Sequence, residues 1–210
     1  MEIMQGKRTA ILSAAAFAQR VNACEAIHLD IGTGDGRYAI HLAQANPQWL
    51  VIGLDACREN LISRSRNASA NALFIIANAA NLPVMLRGTA ARVTVNFPWG
   101  SLLDGLLTAR SSVIGGLAAA CLPGARIDVL LNGGALAQAG RSLFDGACQM
   151  RDNLADAGFD VLRSANLDAA ALRDIPTSWA KRLAFGRDPQ GIHLTAAARA
   201  RIHAACARSE

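Results

Sequence analysis

HLDIGTGDGR, residues 28–37, ends an apolar run on a carboxylate and then sets glycine at every second position. The run AIHLDI, from Ala26, has the length and continuous apolarity of a buried strand, and Asp30 stands near its end. Gly32, Gly34 and Gly36 suit a turn that takes positive φ and lets a ligand approach the backbone. RYAIHLAQA follows with helical spacing and stops before Asn46-Pro47. Strand, glycine turn and helix make the opening unit of an α/β fold. The acid ahead of the glycines separates this motif from the dinucleotide pattern GxGxxG. A carboxylate there suits a cationic amino group, whereas a pyrophosphate wants N–H donors alone.

The second strand, WLVIGLD, closes on Asp55, where a ribose-binding acid is expected. Asp30 and Asp55 together describe an adenosine carrying an amino acid. Upstream, EIMQGKRTAI reads as a hairpin turning at Gly6, and Ser13 caps a helix through AAAFAQRV. Downstream, a helix from Cys57 to about Ser65 precedes three more strand-length runs, ALFIIA, RVTVNF and RIDVLL, with SSVIGGLAAACL helical between the last two. This alternation predicts a mainly parallel sheet. NGGALAQAG then reads as flexible, RDNLADAG as a helix, FDVLRSANL and GIHLTAAARA as strands. With no repeat, low-complexity tract or linker, residues 1–210 are expected to form one domain. It has a hairpin extension over 1–12 and an insertion over 167–187.

Bulk properties narrow the setting. The chain is 52% hydrophobic with a mean hydropathy of +0.22, mostly through alanine, and no run approaches the roughly 18 apolar residues of a membrane span. The start lacks a signal-peptide pattern, so a cytoplasmic protein is expected. Five scattered cysteines without a CxxC argue against a disulfide framework or a zinc site. Net charge is +5, yet of 21 basic residues only Lys7 and Lys181 are lysine, which reads as codon bias rather than as evidence for RNA binding.

Two later stretches carry more information. NFPWGSLL, 96–103, places Trp99 in a turn at a strand's end, where loops carry function. It is close to the Asn/Asp-Pro-Pro-aromatic box of amino-group methyltransferases, with Phe97 at the first proline position. TSWAKRLAFGR, 177–187, sets Trp179 among Lys181, Arg182 and Arg187, the way proteins hold unstacked bases and phosphates. The plainer reading is an amphipathic helix that buries Leu183 and Phe185, with Trp179 capping the core.

The Asp30 and Asp55 motifs resemble motif I and the acidic loop of class I S-adenosylmethionine methyltransferases. That implies a Rossmann-like, seven-stranded, mostly parallel sheet with the last strand antiparallel, plus the N-terminal β-hairpin. It places Asp30, Gly32, Thr33 and Gly34 at the methionine, Asp55 and Ala56 at the ribose, and Asn78, Ala79, Ala80 and Leu82 at the adenine, with Ser178 also touching cofactor. GTGDGR, FPWGSLL and SWAKRLAFGR, in this order, resemble the aminoglycoside-resistance methyltransferases of the kanamycin–apramycin type. Those enzymes modify N1 of a decoding-site adenine, adenine 1408, in 16S rRNA. The resemblance runs from the hairpin to about residue 195. It implies that Trp99 and Trp179 sandwich a flipped adenine, and that Arg182 and Arg187 grip nearby backbone. Lys7, Arg8, Arg64, Arg66 and Lys181 would complete the RNA-binding face. The expected partner is helix 44 of the 30S subunit, met by a monomer, with no metal and no membrane.

Two departures stand out: the basic cluster after the second strand is reduced to Arg64 and Arg66, and Ala80 replaces an acid. Three other readings stay open at this point: an exocyclic-amine (N6) methyltransferase using Asn96 and Pro98, a small-molecule methyltransferase, and a non-catalytic RNA-binding relative. His28 reads as a packed core residue, while His41, His193 and His203 have no evident partner.

Overall fold

The computed structural model describes residues 1–186 and 189–200. Five consecutive parallel strands form its centre: β3 (Ala26–Ile31), β4 (Trp49–Asp55), β5 (Ala72–Ile76), β6 (Ala90–Asn96) and β7 (Cys121–Asn132). β3 is the switch point, with β4 on one side and β6 on the other. The chain reverses its direction of progress there, so the carboxyl ends of β3, β4 and β6 splay into a crevice. β9 (Gly191–Ala198) runs antiparallel between β7 and β8 (Phe159–Leu167).

The expected hairpin forms from β1 (Glu2–Gln5) and β2 (Arg8–Ile11). β1 pairs with β5 through Ile3 and Ile75, so the described strands form one nine-stranded sheet, β2-β1-β5-β4-β3-β6-β7-β9-β8. Ile3 and Met4 are both buried, which gives the hairpin an apolar reason to dock.

Helices cover both faces. Leu29, Ile52, Val93 and Ile127 lie under α4 (Gly100–Leu107), α5 (Ser112–Ala120) and α7 (Leu143–Asp156). On the other face, α2 (Arg37–Ala45) and α3 (Arg58–Ser65) pack on Val51 and Phe74. A third, smaller cluster joins Phe97 and Leu130 to α8 (Ala169–Asp174) and α9 (Ser178–Ala184), the helices inserted between β8 and β9. α1 (Ala14–Asn22) starts at Ser13, whose hydroxyl accepts from the Ala16 N–H, as its sequence predicts.

Two segments depart from their sequence reading. NGGALAQAG is not flexible; it forms α6 (Gly133–Gln138) because the buried Asn132 caps it through the Ala135 N–H and Leu136 is fully buried. α7 begins well before RDNLADAG, at a cap where Ser142 accepts from the Asp145 N–H. Its inward face of Ala147, Met150 and Leu154 carries the helical period that the small residues upstream obscured. No single described helix is long and apolar enough to cross a membrane.

Candidate active site

The glycine turn is built by its neighbours. Gly32, Gly34 and Gly36 adopt φ of 68°, 57° and 72°, and the N–H groups of Gly32 and Thr33 both donate to the Leu54 carbonyl of β4. A Cβ on Gly32 would stand 2.5 Å from Leu102 of α4, so the turn packs where only glycine fits. At Gly34 the same atom would enter open cleft space.

Asp30, at 1% exposure, is the deepest polar group of the site. Its carboxylate accepts from Thr33 Oγ1 (2.5 Å), Thr94 Oγ1 (2.8 Å) and Asn96 Nδ2 (3.0 Å). Burial outweighs those donors and pushes its pKa up to about 6. Beneath it, His28 Nε2 lies 3.1 Å from Thr94 Oγ1. Thr94 gives its proton to Asp30, so it accepts from the Nε2–H of a neutral imidazole. Burial, with Arg92 nearby, lowers the His28 pKa to about 4, in keeping with a packed core residue.

Asp55 closes the neighbouring wall. Oδ2 accepts from the Gly34 N–H at 2.8 Å and Oδ1 from the Cys57 N–H at 2.8 Å, so one carboxylate braces the glycine turn and starts α3. Asn78 caps a short 3₁₀ turn, Ala79–Asn81. That turn buries Ala79 at the cleft wall but directs Ala80 outward. Ala80 and Leu82 line an adjoining depression with Arg87 and Gly116, and Leu82 also sits beside Asn78 and Ala77 of the cleft wall.

The mouth is made by the two tryptophan segments. Phe97 has φ +53°, rare for a bulky residue, and its N–H donates to the Leu130 carbonyl at 2.8 Å. Its ring is 3% exposed and packs with Leu172 of α8 and Ala180 and Ala184 of α9. Trp99 then emerges at the start of α4, 42% exposed, opposite Trp179 of α9, 44% exposed. Their ring centroids are 5.7 Å apart and the planes 14° from parallel. Two contact distances for an inserted ring need about 7 Å, so a base entering between them must part the pair. Ser178 donates to Asp35 of the glycine turn at 2.6 Å, tying α9 to that turn across 143 positions. Asp30, Asp55, Trp99, Trp179 and Arg182 all face one cleft of about 500 Å³, within the range of small-molecule sites.

The sequence profile of the NpmA family, 16S rRNA (adenine(1408)-N(1))-methyltransferase, matches residues 2–198. The chain belongs to this family. A 16S rRNA (adenine(1408)-N(1))-methyltransferase of Streptoalloteichus tenebrarius is 32% identical over 204 residues, covering 90% of this chain and 94% of the relative. A tryptophan-to-alanine mutant of the Catenulisporales acidiphilia enzyme, solved with cosubstrate SAM, superposes with TM-score 0.84. It is 26% identical, covering 96% and 98% of the two chains. The aminoglycoside resistance methyltransferase NpmB1 gives TM-score 0.78 at 27% identity, covering 94% and 98%.

The expected RNA-facing cations of this family member fall in three places. Arg66 and Ser65 underlie the hairpin turn that carries Lys7 and Arg8: the Gly6 N–H donates to Ser65 Oγ at 3.0 Å, and a Cβ on Gly6 would stand 3.7 Å from Arg66 Cα. Arg64 borders the glycine turn, its Cβ 3.2 Å from where one would stand on Gly36. Lys181 and Arg182 project from α9. None of these six is ion-paired among the described residues. Arg187 and His203 lie outside the described residues.

Sequence reasoning missed Tyr38, Asn60 and Thr177, which the fold brings to the cleft from α2, α3 and the start of α9. Tyr38 sits two positions past Gly36, a spacing that carries no chemical signal on its own. His193, given no partner above, bonds Asp128 Oδ1 at 2.7 Å across β7 and β9. Burial would raise the Asp128 pKa, but bonds from His193, Arg126 and Thr195 hold it well below the carboxylate range.

Proposed function

We propose that this chain methylates N1 of adenine 1408 of 16S rRNA in the small ribosomal subunit, with S-adenosylmethionine as donor, and so confers aminoglycoside resistance. The observation that carries this reading is one cleft holding both carboxylate anchors at its floor and two stacked, exposed tryptophans at its mouth. A small-molecule enzyme has no need for a base-sized aromatic pair edged by unpaired cations.

The residues fit S-adenosylmethionine. Asp30 is a buried carboxylate that lacks a cation, Asp55 presents oxygens beside the turn, and Gly34 leaves open the volume a side chain would fill. Asp30 would hold the amino group, Asp55 the ribose hydroxyls, and Asn78 and Ala79 the adenine edge. The bound cofactor supplies an electrophilic methyl on a sulfonium. Adenine N1 is unprotonated at neutral pH and presents a lone pair, so the reaction needs neither a general base nor a metal before attack. The S–CH₃ bond would break as the N1–CH₃ bond forms, so the positive charge passes from the sulfonium, left as a neutral thioether, to the methylated base, which stays cationic at neutral pH. The chain's contribution is alignment and exclusion of water, the source of large effective molarities. Asn96, which an N6 enzyme would turn to the base, gives its amide N–H to Asp30 instead. Methylation places a methyl group and positive charge where an acceptor stood, removing a hydrogen-bond site from the decoding region.

The protein acts as a monomer on helix 44 in the cytoplasm. A reading of the chain as one domain is supported by all described strands joining one sheet, with the 167–187 insertion contributing one wall of the cleft. Primer extension on small subunits treated with protein and cofactor tests the reaction. A stop at adenine 1408 is expected, because N1 methylation blocks Watson–Crick pairing. Modified base without a stop would indicate N6 chemistry.

Cofactor binding carries its own pH signature. The Asp30 value of about 6 lies above its ordinary 3.8, so its buried charge costs stability above pH 6, and that cost is relieved as pH falls. Affinity moves oppositely, since an ammonium needs the charged carboxylate. Calorimetry should show S-adenosylmethionine binding about tenfold weaker at pH 5 than at pH 7. Asp30→Asn should flatten that profile at the weak end. PH-independent binding by the native protein would remove Asp30 from the amino-group site.

A further inference from the structure

α9 buries Ala180 and Ala184 against Phe97 and Leu130, with Leu183 at the cluster's edge, so its other positions face away from the sheet. On that outer side, positions 179, 182 and 185 follow at the interval of three that makes neighbours along a helix ridge. They are Trp179, Arg182 and Phe185. The Arg182 guanidinium carbon stands 5.4 Å from the Trp179 ring centroid, and that of Arg173, from the last turn of α8, 5.4 Å from the Phe185 ring. Phe185 is 77% exposed. The amphipathic reading of this segment expects Phe185 to be buried with Leu183; the fold instead leaves it outside, supported by a cation rather than by apolar neighbours.

Trp179 and Arg182 line the cleft and Phe185 lies beyond it. The ridge therefore starts at the expected methylation site and continues outward for roughly 9 Å of helix. Exposed Lys181 lies on the same turn, and Arg173, Lys181 and Arg182 have no ion-pair partner among the described residues. Rings alternating with guanidinium groups that have no ion-pair partner among the described residues fit a strand whose bases stack and whose phosphates need neutralising. A protein or lipid partner would leave that alternation unused.

We propose that Phe185, backed by Arg173, is a second stacking platform on this chain, and that it takes an unpaired nucleobase of the substrate RNA other than the methylated adenine. This rests on the rRNA reading above. Arg173 stands over the ring, which is otherwise largely open to solvent.

Equilibrium binding to small ribosomal subunits tests it. Phe185→Ala is expected to bind about tenfold more weakly, the loss of one stacked base. Its melting temperature and S-adenosylmethionine affinity should match the native protein, because the ring is exposed and outside the cofactor cleft. The salt dependence of its binding should also be unchanged, since no phosphate contact is removed, whereas Arg182→Ala should flatten it. Phe185→Tyr retains binding and Phe185→Leu does not, which separates stacking from simple apolar contact. A photoreactive benzoylphenylalanine at position 185 should crosslink to 16S rRNA. Native-strength binding by Phe185→Ala or Phe185→Leu, or crosslinks confined to ribosomal protein, would overturn the platform. Failure of the underlying rRNA reading shows separately, as native protein that gives no primer-extension stop.

Discussion

Trp179→Ala is expected to lower single-turnover methylation of small subunits by about one to two orders of magnitude, with little change in subunit affinity. Stacking on one face of an extruded base supplies roughly 1–3 kcal/mol, and that contribution arises after docking, when unstacking has already cost a few kcal/mol. On the proposed reading, docking rests on phosphate contacts spread over the cations of the hairpin, α3 and α9. Trp99→Ala should behave alike, and Trp→Phe at either position should keep part of the rate because a smaller ring still stacks. A core role predicts the opposite pattern, a large loss of fold stability with activity following unfolding. Both rings are more than 40% exposed and touch each other, so truncation forfeits a ring–ring contact of about 0.5–1.5 kcal/mol and little burial. Melting curves beside single-turnover rates decide between the two. A folded, cofactor-binding Trp179→Ala protein with full methylation would sink the clamp.

Phe97→Pro should cost about 4 kcal/mol or more of fold stability, although proline is what the related Asn/Asp-Pro-Pro-aromatic box carries at that position. Proline holds φ near −65° and has no N–H, whereas this residue sits at φ +53° and donates to Leu130. The substitution also removes a buried aromatic from the cluster that seats α8 and α9, a change of about 3–5 kcal/mol in comparable cores. At roughly 2–4 °C per kcal/mol for a chain of this size, the melting temperature should fall by about 10 °C or more. Phe97→Leu, which keeps the N–H and most of the apolar volume, should lose much less. Near-native melting of Phe97→Pro would mean that the left-handed turn and its packing contribute nothing.

Much of the framework is local chemistry and could be read from the chain. Strands of a parallel sheet are buried on both faces, so AIHLDI, WLVIGLD and RVTVNF appear as continuous apolar runs whatever surrounds them. The glycine turn and its two acids are equally legible, because positive φ and a charge at a strand's end are demands of single positions. The exchange of Pro for Phe97 was visible in sequence only as a mismatch. Its meaning is a contact with Leu172, Ala180 and Ala184, residues more than seventy positions away that only packing brings together. The same holds for the bond from Ser178 to Asp35, which no local stretch announces, and for Phe185, placed inside by helical periodicity and outside by the fold. A seven-residue helix shows an apolar stripe too short to settle which side is covered. Residue types and spacing therefore determined the sheet and the chemistry at its carboxyl edge. The seating of α8 and α9, and with it the facing of the two tryptophans, was decided by side-chain volume at Phe97 and Leu130, a property of contacts that no local stretch of sequence contains.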